Sequence, residues 1–351
     1  MEPVRELKLG DAPEFAGIVG RIYCFLMMMS YILMGMVHDS LTLQGFLDLV
    51  PDEAHAEALF LSARWPEGPV CRWCGSVGNA RRLPGRKMLF HCRDCGRATS
   101  ARSGTPMAAS HLPVRTWLIA MFLMACSSKG ISARQLGFWL GLQYRTAWHL
   151  SHRIRQMMAS DDPVLRGIVE MDETYVGGGP RTRSAGDATD SSSGRARPKG
   201  RGTSKPLLLT AVERGGAVHA RRIESHRTDA ITPAWRAWVD PAARLITDAL
   251  PAYRKLGRAH PSHLTVNHSR RAYARTDADS GERVHVNTAE SYHALLRRMV
   301  VGVHHWVSGK HLDRYAAQAA HAWNHRKRDA NTLISLLARP AEPLPFRVLT
   351  A

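Results

Sequence analysis

The chain has 351 residues, 44% of them apolar and 22% charged. That balance excludes wholesale disorder and a fibrous repeat, and the length suits two to three domains. Forty-eight Lys and Arg stand against 30 Asp and Glu, a formal charge of +18, which excludes a surface that turns acidic ligands away and favours a polyanionic partner, most simply nucleic acid.

Near the amino terminus, residues 22–37 contain no charge. Sixteen residues fall short of the roughly 20 that a spanning helix needs, and no small-residue cleavage site of a signal peptide follows. Three readings compete: a marginal membrane segment, an amphiphilic partner-binding helix, or translation upstream of the working protein. Met27, Met28, Met29, Met34 and Met36 offer later starts, so the third is preferred and residues 1–40 are taken as an extension. Residues 41–69 form a helical lead-in, with Leu43, Phe46, Leu47 and Val50 and then Ala56, Leu59 and Phe60 at helical spacing.

Residues 70–103 hold four of the six cysteines as Cys71-x2-Cys74 and Cys92-x2-Cys95, with 17 residues between the pairs. Each CxxC sets two thiolates on one tight knuckle, and two knuckles joined by a hairpin make a closed tetrahedral zinc ribbon. With no open ligand position, the metal would be structural. Cys24 and Cys126 read as small buried hydrophobes, and the absence of a disulfide pattern points to a reducing, cytoplasmic compartment.

Residues 113–160 are helical throughout, interrupted at Lys129-Gly130 and Gly141. Ser132 caps a short helix, Gly141-Leu142 makes a turn, and Tyr144–Met158 carries Arg145, Thr146, His149, His152, Arg153 and Arg155. This is the order of a helix-turn-helix with a basic second helix; the plain alternative is an ordinary helical hairpin. From residue 165 the texture changes to short strands at Gly167–Val176, Leu207–Glu213, Ala217–Ile223 and Ala243–Thr247. Helices are expected at Asp229–Val239, Thr288–Val300 and His311–His325, giving a mixed α/β domain over 165–328. The Gly-, Ser- and Arg-rich insert at 177–206 cannot bury apolar area and is expected to be a disordered loop, either touching phosphates or forming a solvated hairpin tip. Residues 329–351 are taken as a tail.

Ile168-Val169-Glu170-Met171-Asp172-Glu173 puts three acids on an apolar strand, where alternation sends Glu170 and Asp172 to one face and Glu173 to the other. Asp248 ends another strand, and Glu290 follows Asn287 at a helix start. Acids on core strands are costly without compensation, and a pair of divalent metal ions is the obvious one. Each acid also has a plain reading: Asp248 as a turn residue, Glu290 as the partner of Asn287 in a capping box.

Several stretches resemble one family. They are Arg64-Trp65-Pro66-Glu67-Gly68, Ser103-Gly104-Thr105 with Trp117, Lys129-Gly130-Ile131-Ser132-Ala133 with Gln135-Leu136, and Thr146-Ala147-Trp148. The most specific is Asp172-Glu173-Thr174-Tyr175-Val176-Gly177-Gly178. Thr247-Asp248 with Tyr253, Val266-Asn267-His268-Ser269, His285-Val286-Asn287-Thr288-Ala289-Glu290-Ser291, and His311-Leu312 with Tyr315 and Asn324-His325-Arg326 follow in order. From about Leu41 to Arg328 the chain is similar to the IS1595-type transposases, whose catalytic part is the ISXO2-like domain.

The resemblance implies an RNase H-like catalytic domain preceded by a zinc ribbon and a helix-turn-helix-like segment. Its DDE triad would map onto Asp172, Asp248 and Glu290, holding Mg2+ or Mn2+. Cys71, Cys74, Cys92 and Cys95 would hold zinc, and Arg145, His149, Arg153, Arg297 and Arg298 would contact DNA. Arg297-Arg298 stands where the family often has a Lys, and Gln318 where an acid is common. Terminal inverted repeats and target DNA would be the partners, bound by a multimer of the chain at the nucleoid, with no small-molecule substrate and no membrane. The rival readings are a catalytically inactive DNA-binding relative, a plain endonuclease, and a membrane-anchored protein resting on residues 22–37.

Overall fold

The computed structural model describes residues 42–85, 88–159, 163–177, 205–267, 273–326, 336–337 and 344–350. The apolar extension and the basic insert between Gly177 and Lys205 lie outside them.

The first body begins with α1 (Leu43–Leu49) and α2 (Glu53–Arg64), whose starts are capped by Thr42 and Asp52 accepting the backbone N–H of Gly45 and His55. A three-stranded antiparallel ribbon follows, β1 (Ala80–Arg82), β2 (Leu89–Cys92) and β3 (Ala98–Ser100). Helix α3 (Val114–Cys126) starts at Pro113 and borrows its cap from α2: the Glu53 carboxylate accepts the N–H of Val114 at 2.7 Å and of Arg115 at 3.0 Å. Two orphan donors are satisfied and the helix dipole is complemented. Phe46 stacks on Phe122 with centroids 4.5 Å apart, and Phe60, Phe90, Trp117, Leu150 and Ile154 belong to the same buried cluster. Lead-in, ribbon and helical segment, read separately in the sequence, thus share one core.

Helices α4 (Ala133–Leu140) and α5 (Tyr144–Met158) meet across the expected turn, with Ser132 capping α4 and Gly141 closing it at φ 63°. A Cβ on Gly137 would lie 2.8 Å from the carbonyl oxygen of Leu142, so this helix pair approaches as closely as only glycine allows. The outcome differs from a free recognition helix. Only the first turn of α5 is exposed, and Ser151 to Arg155 are all buried, because this half of the helix is packed against both α3 and the second domain.

That domain is a five-stranded sheet in the order β6-β5-β4-β7-β8. Strands β4 (Ile168–Tyr175), β5 (Leu207–Glu213) and β6 (Val218–Ile223) form an antiparallel meander. After α6 (Thr228–Trp238), β7 (Arg244–Asp248) returns parallel to β4. After α7 (Pro251–Gly257), β8 (His263–Val266) adds in parallel at the edge. A small hairpin, β9 (Arg275–Thr276) and β10 (Arg283–Val284), leads into α8 (Asn287–Met299), and α9 (Leu312–Asn324) follows. The sheet is buried on both faces: Val169, Met171, Leu209 and Leu245 pack against α6 and α7, while Leu208 and Val212 pack against α8 and α9. The sequence reading lacked β8, α7 and the hairpin, whose runs are too short and too polar to show a period.

The described parts of the expected tail are not loose. Leu336 and Leu337 are wholly buried in the first core, and α10 (Phe346–Thr350) sets Phe346 against Trp148 and His149.

The two bodies meet where α5 packs on α9. Arg155, 1% exposed, donates from Nε to Gln318 Oε1 at 2.7 Å and lies 4.1 Å over the Tyr315 ring. No carboxylate pairs with this guanidinium among the described residues, and burial lowers its pKa. The Gln318 amide nitrogen is itself buried without a partner, so an acid at this position would lose no donor bond and would give the cation a counter-charge. Gln318→Glu is therefore expected to stabilise the protein by about 1–2 kcal/mol, read as a rise in Tm at pH 7; a fall in Tm would show that the desolvation of a second charge outweighs the pairing.

Candidate active site and metal centres

Alternation along β4 divides its side chains between the two layers. Val169 and Met171 enter the α6–α7 side, so Glu170, Asp172 and Thr174 face α8. Glu173 goes the other way, beside the wholly buried Tyr253, whose phenol is held protonated by burial and by the neighbouring charges of Glu173 and Asp172. Because β4 and β7 are parallel with Met171 opposite Thr247, the next residues along, Asp172 and Asp248, lie side by side on one face. Asp248 also accepts the N–H of Leu250 at 3.0 Å, so it serves the turn as well.

Helix α8 crosses above them. Glu290, His293 and Arg297 fall on one stripe at helical spacing. His293 Nδ1 is 3.7 Å from Asp172 Oδ2 and its Nε2 is 3.2 Å from Thr210 Oγ1, while the Arg297 guanidinium donates to the Thr174 hydroxyl. Arg298 is exposed. The helix begins at Asn287 with Val286 at its cap and no side-chain cap bond, so Asn287 is not the cap and the capping-box reading of Glu290 does not account for it. Burial pushes the Asp172 carboxyl up to about 7, the charges of Asp248 and Glu290 add to the rise, and Arg297 opposes it. Burial and Arg297 push His293 down to about 3, leaving a neutral ring beside Asp172. His293 escaped the sequence reading; its signal was the three-residue step from Glu290 on a helix whose acid faces the sheet.

Crowded carboxylates that repel one another are the donor chemistry of a hard divalent cation such as Mg2+ or Mn2+. Among the described residues, however, the four cysteines are the one group gathered tightly enough to hold a single ion; the three acids, set on two strands and a helix, do not form such a group.

The cysteine ligands lie within 4.8 Å of one another. Each knuckle is built alike: Gly75 and Gly96, at φ 75° and 69°, close a turn by donating to the carbonyls of Cys71 and Cys92 at 2.9 and 3.1 Å. Backbone N–H groups of Cys74 and Trp73 pull the Cys71 thiol down to about 6, favouring the thiolate that a metal requires. This donor set fits a structural Zn2+.

The basic residues expected to touch DNA divide. Arg145 is exposed. Arg153 is 6% exposed, bonded to the Ala108 carbonyl and lying over Trp117. His149 points to the Leu344 carbonyl at 2.7 Å. The packing of α5 turns these last two inward, away from the exposed first turn that bears Arg145. On the exposed side of the ribbon, Trp73, 52% exposed, has the guanidiniums of Arg72 and Arg97 at 4.8 and 5.3 Å from its ring centre.

Zinc ribbon, helical body and acid-bearing α/β domain together define a modular protein. Comparison with known proteins agrees: residues 51–98 match the transposase zinc-ribbon domain and residues 164–324 the ISXO2-like transposase domain, together more than half of the chain. A Halobacterium salinarum protein, described as an uncharacterized protein in transposable element ISH50, is 28% identical over 271 residues, covering 75% of this chain and 88% of its own. The chain belongs to the IS1595-type insertion-sequence transposases. No helix among the described residues is long and apolar enough to cross a membrane.

Two outcomes are expected. Asp172 binds its proton more tightly folded than unfolded, so its contribution to stability is present at low pH and is lost as pH rises toward about 7. Asp172→Asn should therefore raise stability at pH 8 without divalent metal by roughly 1–4 kcal/mol and leave it nearly unchanged at pH 4; an equal effect at both would disprove the raised Asp172 carboxyl. The purified protein should carry about one zinc per chain, and Cys74→Ser should both release it and lower the Tm of the whole first body, whose core includes Phe90 of the ribbon. Retention of zinc by the variant would contradict the four-thiolate site.

Proposed function

We propose that the protein is a DNA transposase whose RNase H-like domain cleaves and joins DNA through Asp172, Asp248 and Glu290. One observation carries the reading: Asp172 and Asp248 stand abreast on adjacent parallel strands beneath the helix that bears Glu290, in a chain of this family. The strand order, an antiparallel meander extended by two parallel strands, supports the RNase H-like assignment. Intact acids at all three positions weigh against the inactive relative.

The three carboxylates would hold Mg2+ or Mn2+, which when bound supplies activation of the attacking oxygen and charge stabilisation of the leaving oxygen in an in-line phosphodiester displacement. The protein's own part is to bring the acids together at a cost in apo stability, since Asp172 is crowded by like charge. His293 stays neutral and adds no cation beside Asp172. Arg297, anchored on Thr174, sets a fixed positive charge along the same stripe for a phosphate. Arg298, Arg145, Arg72 and Arg97 offer exposed cations for phosphates along the rest of the duplex. Two ends of an element must be held at once, so the working form would be a multimer on the terminal repeats.

The test is cleavage of a labelled duplex carrying the element's own ends, with Mg2+ present. Asp172→Ala, Asp248→Ala and Glu290→Ala should each lower cleavage at least about 1,000-fold while retaining DNA binding. Binding without cleavage by the wild type would overturn the enzyme reading.

A further inference from the structure

We infer that Glu170 is a positioning residue: a buried carboxylate that clamps the start of α8 to the central strand and thereby sets Glu290 over Asp172. The inference rests on the DDE reading for its functional meaning, though not for its geometry.

Glu170 has no exposed surface, and an ionised carboxylate in that setting is costly unless every lone pair is used. Here they are. Oε2 accepts the backbone N–H of Thr288 at 2.7 Å and of Ala289 at 3.1 Å, and Oε1 accepts the Thr288 hydroxyl at 3.0 Å and Arg214 Nε at 2.6 Å. His285 Nδ1 lies 3.2 Å from the same oxygen. No side chain of the helix's own cap does this work, so the orphan donors at its start are satisfied from β4.

Arg214 completes the clamp. It stands immediately after β5, its N–H donates to the Ile168 carbonyl at 2.9 Å, and its guanidinium spends its other donors on the Arg283 and His285 carbonyls at 2.8 and 3.1 Å. One cation thus ties the sheet to both the buried acid and the segment that enters α8.

The spacing gives the clamp its consequence. Glu170 is two residues from Asp172 on the same face of one strand, and Thr288 is two residues from Glu290 on one helix. The link Asp172–Glu170–Thr288–Glu290 therefore places the third acid relative to the first through short, stiff segments. Glu170 touches neither substrate nor metal in this arrangement; it acts through Glu290.

Hydrogen exchange and Mn2+ binding, the latter followed by electron paramagnetic resonance, test this on the full chain. In Glu170→Ala, amides at 287–292 should lose protection while those of β5 at 207–213 keep theirs, and Mn2+ affinity should fall about 10- to 100-fold, the range found for groups that orient metal ligands. Glu170→Gln, which keeps the shape and one acceptor oxygen, should fall between. Arg214→Met serves the same purpose if Glu170→Ala does not fold. Wild-type protection at 287–292 together with unchanged Mn2+ affinity in these variants would overturn the proposal. Failure of the wild type itself to bind Mn2+ at the acids would instead sink the DDE reading, and the exchange pattern would still decide whether the clamp exists.

Discussion

The constraint on which the rest depends is negative charge at the centre of a buried sheet. Strand β4 is flanked on both sides by other strands and covered on both faces, yet it carries Glu170, Asp172 and Glu173. Each is accommodated differently. Glu170 is fully neutralised by Arg214 and the start of α8; Glu173 is placed among the side chains of the opposite layer with Tyr253. Asp172 is left buried and crowded by Asp248 and Glu290, opposed by the backbone N–H of Glu173 and by Arg297. The strand thus spends one acid on architecture and keeps another in a strained electrostatic state, the difference expected between a structural and a reactive carboxylate.

The same economy recurs in the first body. Glu53 caps α3 from α2 as Glu170 caps α8 from β4. In a chain with a surplus of cations, two of its scarce acids are used to join elements far apart in sequence, and in both cases the N-terminus of a long, buried helix is what they hold. The ribbon, too small for a core of its own, borrows from the helices around it and adds the four-thiolate site as a cross-link.

Between the bodies the contact is made of rings and one buried cation. His152 and His311 lie 4.7 Å apart between α5 and the start of α9, beside Trp148 and Tyr315, with Arg155 close by. Burial holds His152 down to about 2 and His311 to about 4, so both are neutral at ordinary pH. This packing explains why the basic second helix is not a free recognition surface: the side chains of its second half are consumed in joining the two domains.

Periodicity and motif spacing in the sequence by themselves determined the zinc ribbon, the capped turn at Gly141, the α/β texture after residue 165 and the acid-bearing strand, because cysteine spacing, glycine conformation and acids in apolar runs are local signals. Tertiary structure alone decided what each acid touches. Whether Glu170 or Glu173 attends Asp172, whether Glu290 belongs to a capping box, whether Arg153 meets solvent and whether His293 faces the site are all questions of which element lies across the strand. Those answers depend on contacts between residues far apart in the chain, from Arg153 with Ala108 to Glu170 with Thr288 and Arg155 with Gln318, and no short window along the chain contains both partners.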